Sequence, residues 1–282
     1  MNKQLPRITP KNSPLLLFFL LVFGISAMFW SIGAVVEQLM PELPGNLPFS
    51  SLMVVSPIIA GCYCTYREAG LPGVKKILKR TFDYKKVERR IWYLPTLFLM
   101  PTVMGIEYGI LRLMQRPIPD MQNSFSMSLG FFFIFFIAAV GEEIGWHGYV
   151  IDRLQARWSA LSASILLGSV WAIWHIIPMI QMQEPPLWIT CQCVDLVVTR
   201  ILMIWIYNNA GKSVFVTVLF HAMYNVSTLL FAYDPFIVTP ILIVIALAIL
   251  FLWRPKTLTD YRYPHQRKVL SQAKPESAQY EK

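Results

Sequence analysis

Residues 124–148 read SFSMSLGFFFIFFIAAVGEEIGWHG, a run with no charge from Ser124 to Gly141 that stops at two adjacent glutamates. A helix rises 1.5 Å per residue, so about 20 such residues cross the roughly 30 Å of hydrocarbon in a bilayer. The stretch therefore reads as a membrane span with acid at one end. On either side of it, comparable apolar stretches occupy 14–36, 47–66, 91–111, 161–180, 187–207, 213–233 and 235–253. Lipid offers a backbone amide no partner, and nothing in the chain alternates as a barrel strand does, so these spans must be helices. The expected fold is an all-α polytopic membrane protein, a bundle of about eight transmembrane helices. Composition agrees: 55% of the 282 residues are hydrophobic and 15% charged, against about 25% charged in a soluble domain. The first span is too long for a signal-peptide core and no small-residue cleavage site follows it, so it is expected to stay as an anchor.

A net charge of +9 could suggest nucleic acid, but the bases are sorted by loop. Lys3, Arg7 and Lys11 precede the first span, a run of bases from Arg67 to Arg90 separates the second and third, and Arg153, Arg157 and Lys212 follow the fourth and sixth. More follow the eighth, from Arg254 to Lys282. The alternate loops hold Glu37, Glu42, Asp120, Glu184 and Asp234, with Arg112 and Arg116 as their only bases. Under the positive-inside rule this places both termini in the cytosol and makes the charge a topology signal, so no nucleic-acid partner is expected. The bilayer is the partner expected instead, and the location is a bacterial plasma membrane, crossed many times. The chain divides into a cytosolic N-terminus (1–12), a transmembrane domain (13–253) whose catalytic core spans about 124–233, and a polar cytosolic tail (254–282), expected to be loosely attached. Residues 67–90 read as a basic, amphipathic loop at the cytosolic interface, broken between Gly70 and Gly73. Cys62/Cys64 and Cys191/Cys193 each point about 200° apart on a helix, so neither pair forms a ligand face.

Ionisable groups inside a bilayer cost several kcal/mol, and each needs a partner or a task. Here they are Glu107, Glu142, Glu143, His147, His175, Asp195, Arg200 and His221. Glu107 is expected to bond a neighbouring helix, and Asp195 to pair with Arg200 or another base. The remaining five form a set. Adjacent helical residues point about 100° apart, so Glu142 and Glu143 cannot aim at one atom. Glu143 can touch His147 four residues on, whereas Glu142 shares its face with Trp146. His175 follows Trp171 by one turn, and His221 precedes Asn225 by one turn. Counted from the cytosolic ends of their helices, Glu142, His175 and His221 come to comparable depths, Glu142 about 16 Å in. One polar pocket open to the cytosol can hold all three.

At these residues the chain resembles the membrane family that joins type II CAAX prenyl endopeptidases with bacteriocin-processing and immunity-type proteins, the CPBP or Abi family. Its motifs are Glu-Glu-x-x-x-Arg, Phe-x-x-x-His and His-x-x-x-Asn on successive helices. They correspond here to Glu142, Glu143 and His147, then Trp171 and His175, then His221 and Asn225. The resemblance implies an intramembrane endopeptidase in which Glu142 activates a water while His175, His221 and Asn225 hold it and bind the oxyanion, with Glu143, His147, Trp146 and Trp171 in support. The departure that matters is His147 where the family has arginine, because a guanidinium is always charged and can fork a carboxylate, and an imidazole is not so.

Three readings follow. The first is the peptidase, acting on a CAAX-type lipidated tail or on a peptide or bacteriocin precursor. The second is a non-catalytic immunity or interaction protein of the same fold, for which His147 is the best argument. The third is a transporter or proton relay, opposed by the lack of internal repeats and matched broken helices. No cofactor is favoured. Zinc is possible, and would be held by Glu142, His175 and His221, but the chain lacks the His-Glu-x-x-His pattern of zincins.

Overall fold

The computed structural model describes residues 13–39, 49–116, 118, 125–231 and 233–259. The expected N-terminus with Lys3, Arg7 and Lys11, the acids Glu42 and Asp120, and the tail from 260 to 282 lie outside these residues. Within them the chain forms helices α1 (Ser13–Leu39), α2 (Ser56–Leu78), α3 (Tyr93–Leu113), α4 (Phe125–Glu143), α5 (Ile151–Gln155), α6 (Ala160–Gln181), α7 (Pro186–Asn209), α8 (Val214–Leu230) and α9 (Pro235–Leu252). No strand ladder occurs among the described residues.

Among the described residues seven apolar segments are long enough to cross a membrane. The chain is an integral, multi-pass membrane protein. The segment expected over 213–233 is shorter than anticipated: α8 has 17 residues, because Ser213 and Phe231 leave helical geometry at its two ends. At 1.5 Å per residue it is about 25 Å long. Side chains such as Leu20, Phe133, Ile137 and Leu247 stand exposed on the bundle's outside, where lipid is the apolar medium that suits them. The enclosed centre belongs to α7, in which every side chain from Val198 to Tyr207 is buried. α6 and α9 lie along α7, and α4 lies along α8.

From Phe125 to Gln155 the chain forms one rod of three pieces: α4, a π-helical turn over Ile144–Val150, and α5. Wider turns of this kind bring extra side chains to one side of a helix and recur at functional sites. Glycines make the approach possible. A Cβ on Gly145 would stand 2.5 Å from the Pro57 carbonyl oxygen, and one on Gly141 2.6 Å from that of Val54. Both contacts dock the rod against α2 and the 3-10 turn before it (Phe49–Val55).

Two soluble segments hold more structure than expected. The basic loop begins as the end of α2, kinked at Gly70, whose φ of 62° and ψ of −164° no other residue adopts readily. Beyond it Arg80 donates to the Gly148 carbonyl (2.9 Å), the Tyr207 hydroxyl (2.6 Å) and the Lys212 carbonyl (3.0 Å). Asp83 accepts from the Ser213 hydroxyl (2.7 Å) and the Phe215 amide (3.1 Å). The loop thus ties the π turn to the adjoining ends of α7 and α8. The tail's first residues are likewise fixed, not loose: Lys256 and Pro255 carbonyls accept from the amides of Ala160 (2.8 Å) and Leu161 (3.0 Å). These amides start α6 and have no acceptor within their own helix, which is the physical reason the tail is held there.

Glu107 bonds across helices as anticipated, accepting from the Asp234 amide at 2.6 Å. All four cysteines are free thiols.

Candidate active site at the end of α4

Glu142 and Glu143 diverge at the end of α4 and meet different surroundings. Both are buried. Glu143 faces α7 and α8: His147 Nδ1 contacts its Oε2, His221 Nδ1 lies 2.9 Å from Oε1, and Arg200 Nη1 lies 3.2 and 3.1 Å from the two oxygens. Glu142 faces α6, where the Trp171 indole N–H donates to Oε2 at 2.8 Å. Its other oxygen has no hydrogen-bond partner among the described residues.

Trp171 serves the site from two of its groups. Its indole holds Glu142, and its backbone carbonyl lies 2.8 Å from His175 Nδ1. A carbonyl only accepts, so this nitrogen of His175 carries the hydrogen and Nε2 keeps its lone pair. The Trp171 ring stands edge-on to His175 and His221, at centroid distances of 5.1 and 5.4 Å. Glu143, paired with a guanidinium, accepts from His221 Nδ1 in the same way, so that imidazole also presents Nε2. Asn225 is half-buried one turn beyond His221, and its side chain has no hydrogen-bond partner among the described residues.

The structure brings Glu142, Glu143 and His221 together, with ligand-type atoms within 4.8 Å of one another, and joins His175 to them through Trp171. The Glu143–His147 contact is the one its spacing implies. Trp146 lies elsewhere: buried, it packs edge-on against Phe18 (5.5 Å) and Trp174 (5.7 Å), and so fastens the rod to α1 and α6.

Arg200 departs from expectation. It was read as a structural partner for Asp195, yet five residues along a helix point about 140° apart, too far for the two to meet. Asp195 accepts instead from the Tyr224 hydroxyl (2.7 Å) and Thr199 (3.2 Å). Arg200 turns to Glu143, with its guanidinium carbon 4.1 Å from the Trp171 ring centroid. Room for it comes from Gly168 on α6, where a Cβ would stand 2.9 Å from Val197 Cα and 3.1 Å from Arg200 Cβ. The signal available in the sequence was a glutamate motif without its usual arginine and an arginine in mid-span.

As a zinc site the donors fit poorly. The group with ligand spacing includes Glu143 in place of His175, and both oxygens of Glu143 are already engaged, with a guanidinium 3.1 Å away that would repel a dication.

Two comparisons with known proteins bear on this stretch of the chain. Residues 124–227 match the family model described as type II CAAX prenyl endopeptidase Rce1-like. These residues contain Glu142, Glu143, Trp171, His175, His221 and Asn225. Over this stretch the chain is similar to that family. It is also 26% identical over 264 residues to "CAAX prenyl protease 2" of Methanococcus maripaludis, across 83% of this chain and 92% of that protein. Both matches are to proteins described as CAAX proteases, a likeness that favours the peptidase reading over the transporter one.

Proposed function

We propose that this endopeptidase cleaves a peptide bond near the end of a membrane-tethered chain, a CAAX-type lipidated tail before a peptide or bacteriocin precursor, using Glu142 as general base. The observation that carries the reading is the contrast between the two glutamates. Glu143 is neutralised by Arg200 and engaged at both oxygens, whereas Glu142 has one oxygen fixed by a neutral donor and the other open. Two neighbouring carboxylates in unlike surroundings take unlike roles.

In this mechanism Glu142 removes a proton from a water whose second hydrogen is held by His175 Nε2. The resulting hydroxide attacks the scissile carbonyl carbon. Asn225 donates to the oxyanion, a contribution of about 3 kcal/mol for a donor of this kind. His221, with Glu143 behind it, shuttles the proton that the departing amine takes as the C–N bond breaks. The mechanism needs no metal. The loop charges support a pocket on the cytosolic side of the membrane.

The immunity or interaction alternative drew on His147. Arg200 weakens that argument, because the charge that position 147 lacks is supplied from α7.

The test is cleavage of a fluorogenic farnesylated CAAX peptide by purified protein in detergent. Glu142→Gln should fold as wild type and lose at least a thousandfold in kcat. Retained turnover in that variant sinks the mechanism. Cleavage of an unlipidated peptide equal to that of the farnesylated one sinks the substrate class.

A further inference from the structure

Within the site just described, and resting on the assignment of Glu142 as base, we infer that Arg200 is a positioning residue for the reaction, linking the two halves of the catalytic group. Its side chain is wholly buried. A charge so placed is tolerated only with close partners; besides His147, whose Nδ1 lies 3.4 Å from Nη1, Arg200 has two. Nη1 engages both oxygens of Glu143, and the face of the guanidinium lies on the indole of Trp171.

Each partner orients a different part of the machinery. Glu143 receives His221 Nδ1, so fixing the carboxylate fixes the face that imidazole turns to substrate. Trp171 holds Glu142 by its indole and His175 by its carbonyl. One planar cation therefore sets the spacing between His221 on α8 and the Glu142–His175 pair across α4 and α6. Arginine suits this and lysine does not, because only a guanidinium is flat enough to stack and broad enough to reach a carboxylate at the same time.

Charge gives the same answer. Glu143 is fully enclosed, and its other partners are imidazoles, which are not permanent cations. Arg200 makes the pair neutral without asking either histidine to hold a proton. It follows that position 147, whose side chain already contacts Glu143, is a second place from which a guanidinium could perform the charge part of the task.

The experiment compares wild type, Arg200→Lys, Arg200→Gln and the double variant Arg200→Gln/His147→Arg, with Glu142→Gln as control, each checked for a monodisperse folded state. Arg200→Lys should lower kcat by about 10- to 100-fold with KM within about threefold, since the group touches no substrate. The double variant should recover at least tenfold of the kcat lost in Arg200→Gln. Where Arg200→Gln alone fails to fold, the double variant is read directly against wild type, and activity within about 100-fold supports the assignment. Wild-type kcat in Arg200→Lys, an effect confined to KM, or a folded but inactive double variant each overturns it. Activity in Glu142→Gln instead overturns the underlying mechanism, a result distinguishable from the others.

Discussion

The indole nitrogen of Trp171 donates to Glu142 across 2.8 Å, and the backbone carbonyl of the same residue orients His175. One residue of α6 therefore aligns both the proposed base and an imidazole, although only its aromatic character is evident from the sequence. The family motif carries phenylalanine at this position. A phenylalanine there has no N–H with which to make this bond.

Trp171→Phe removes that donor and keeps a ring for the guanidinium to lie on. A buried hydrogen bond to a charged group is worth about 1.5–3 kcal/mol, so kcat should fall roughly 10- to 100-fold with KM little changed. Steady-state kinetics on the purified variant checks this. A wild-type kcat would show that the bond does not orient the base.

Glu143→Gln should damage the fold more than Glu142→Gln. The first leaves the guanidinium of Arg200 enclosed without its counter-charge, a loss of about 3–5 kcal/mol for a broken buried pair. The second keeps an amide oxygen that still accepts from the Trp171 indole. Thermal unfolding in detergent should give a clearly lower midpoint for Glu143→Gln, with Glu142→Gln close to wild type. Equal midpoints would contradict the pairing described for Arg200.

Gly145→Ala brings a Cβ to 2.5 Å from the Pro57 carbonyl oxygen, so α2 and the π turn must separate. Overpacking of this kind costs about 1–3 kcal/mol. The variant should unfold at lower temperature and turn over more slowly, since the turn that moves also carries His147. Gly130→Ala, with no neighbour within 4 Å of its Cβ, is the matched control and should change neither.

Chelation separates the two accounts of the water. Both imidazoles of the site hold Nδ1–H on fixed acceptors, an orientation that would also serve a metal. The feature that opposes a dication is Arg200 against Glu143. Prolonged treatment with 1,10-phenanthroline should leave at least half of the activity, and elemental analysis of the active protein should give far less than one zinc per chain. Stoichiometric zinc that is lost together with activity would reverse the mechanism.

What could be read from the sequence, and what could not, follows from the range of the interactions involved. Apolar length and loop charge fix a helical membrane bundle because the bilayer imposes one rule on every span. The Glu143–His147 contact was legible since it lies within one turn of one helix. Arg200 was misassigned because its partner sits 57 residues away, on a helix whose rotation no local pattern determines. The bonds that fix 79–86 and 254–258 were not legible for a related reason. Polar loops read as solvated, whereas here their groups complete hydrogen bonds that helix ends leave open.

The carbonyls that finish the start of α6 belong to Pro255 and Lys256, beyond α9. On the ribosome that helix is made some 95 residues before the groups that complete it, so the segment bearing Trp171 and His175 has an unfinished end until α9 has emerged. A nascent chain halted between α8 and α9 would hold every motif residue and still lack the acceptors for the first amides of α6.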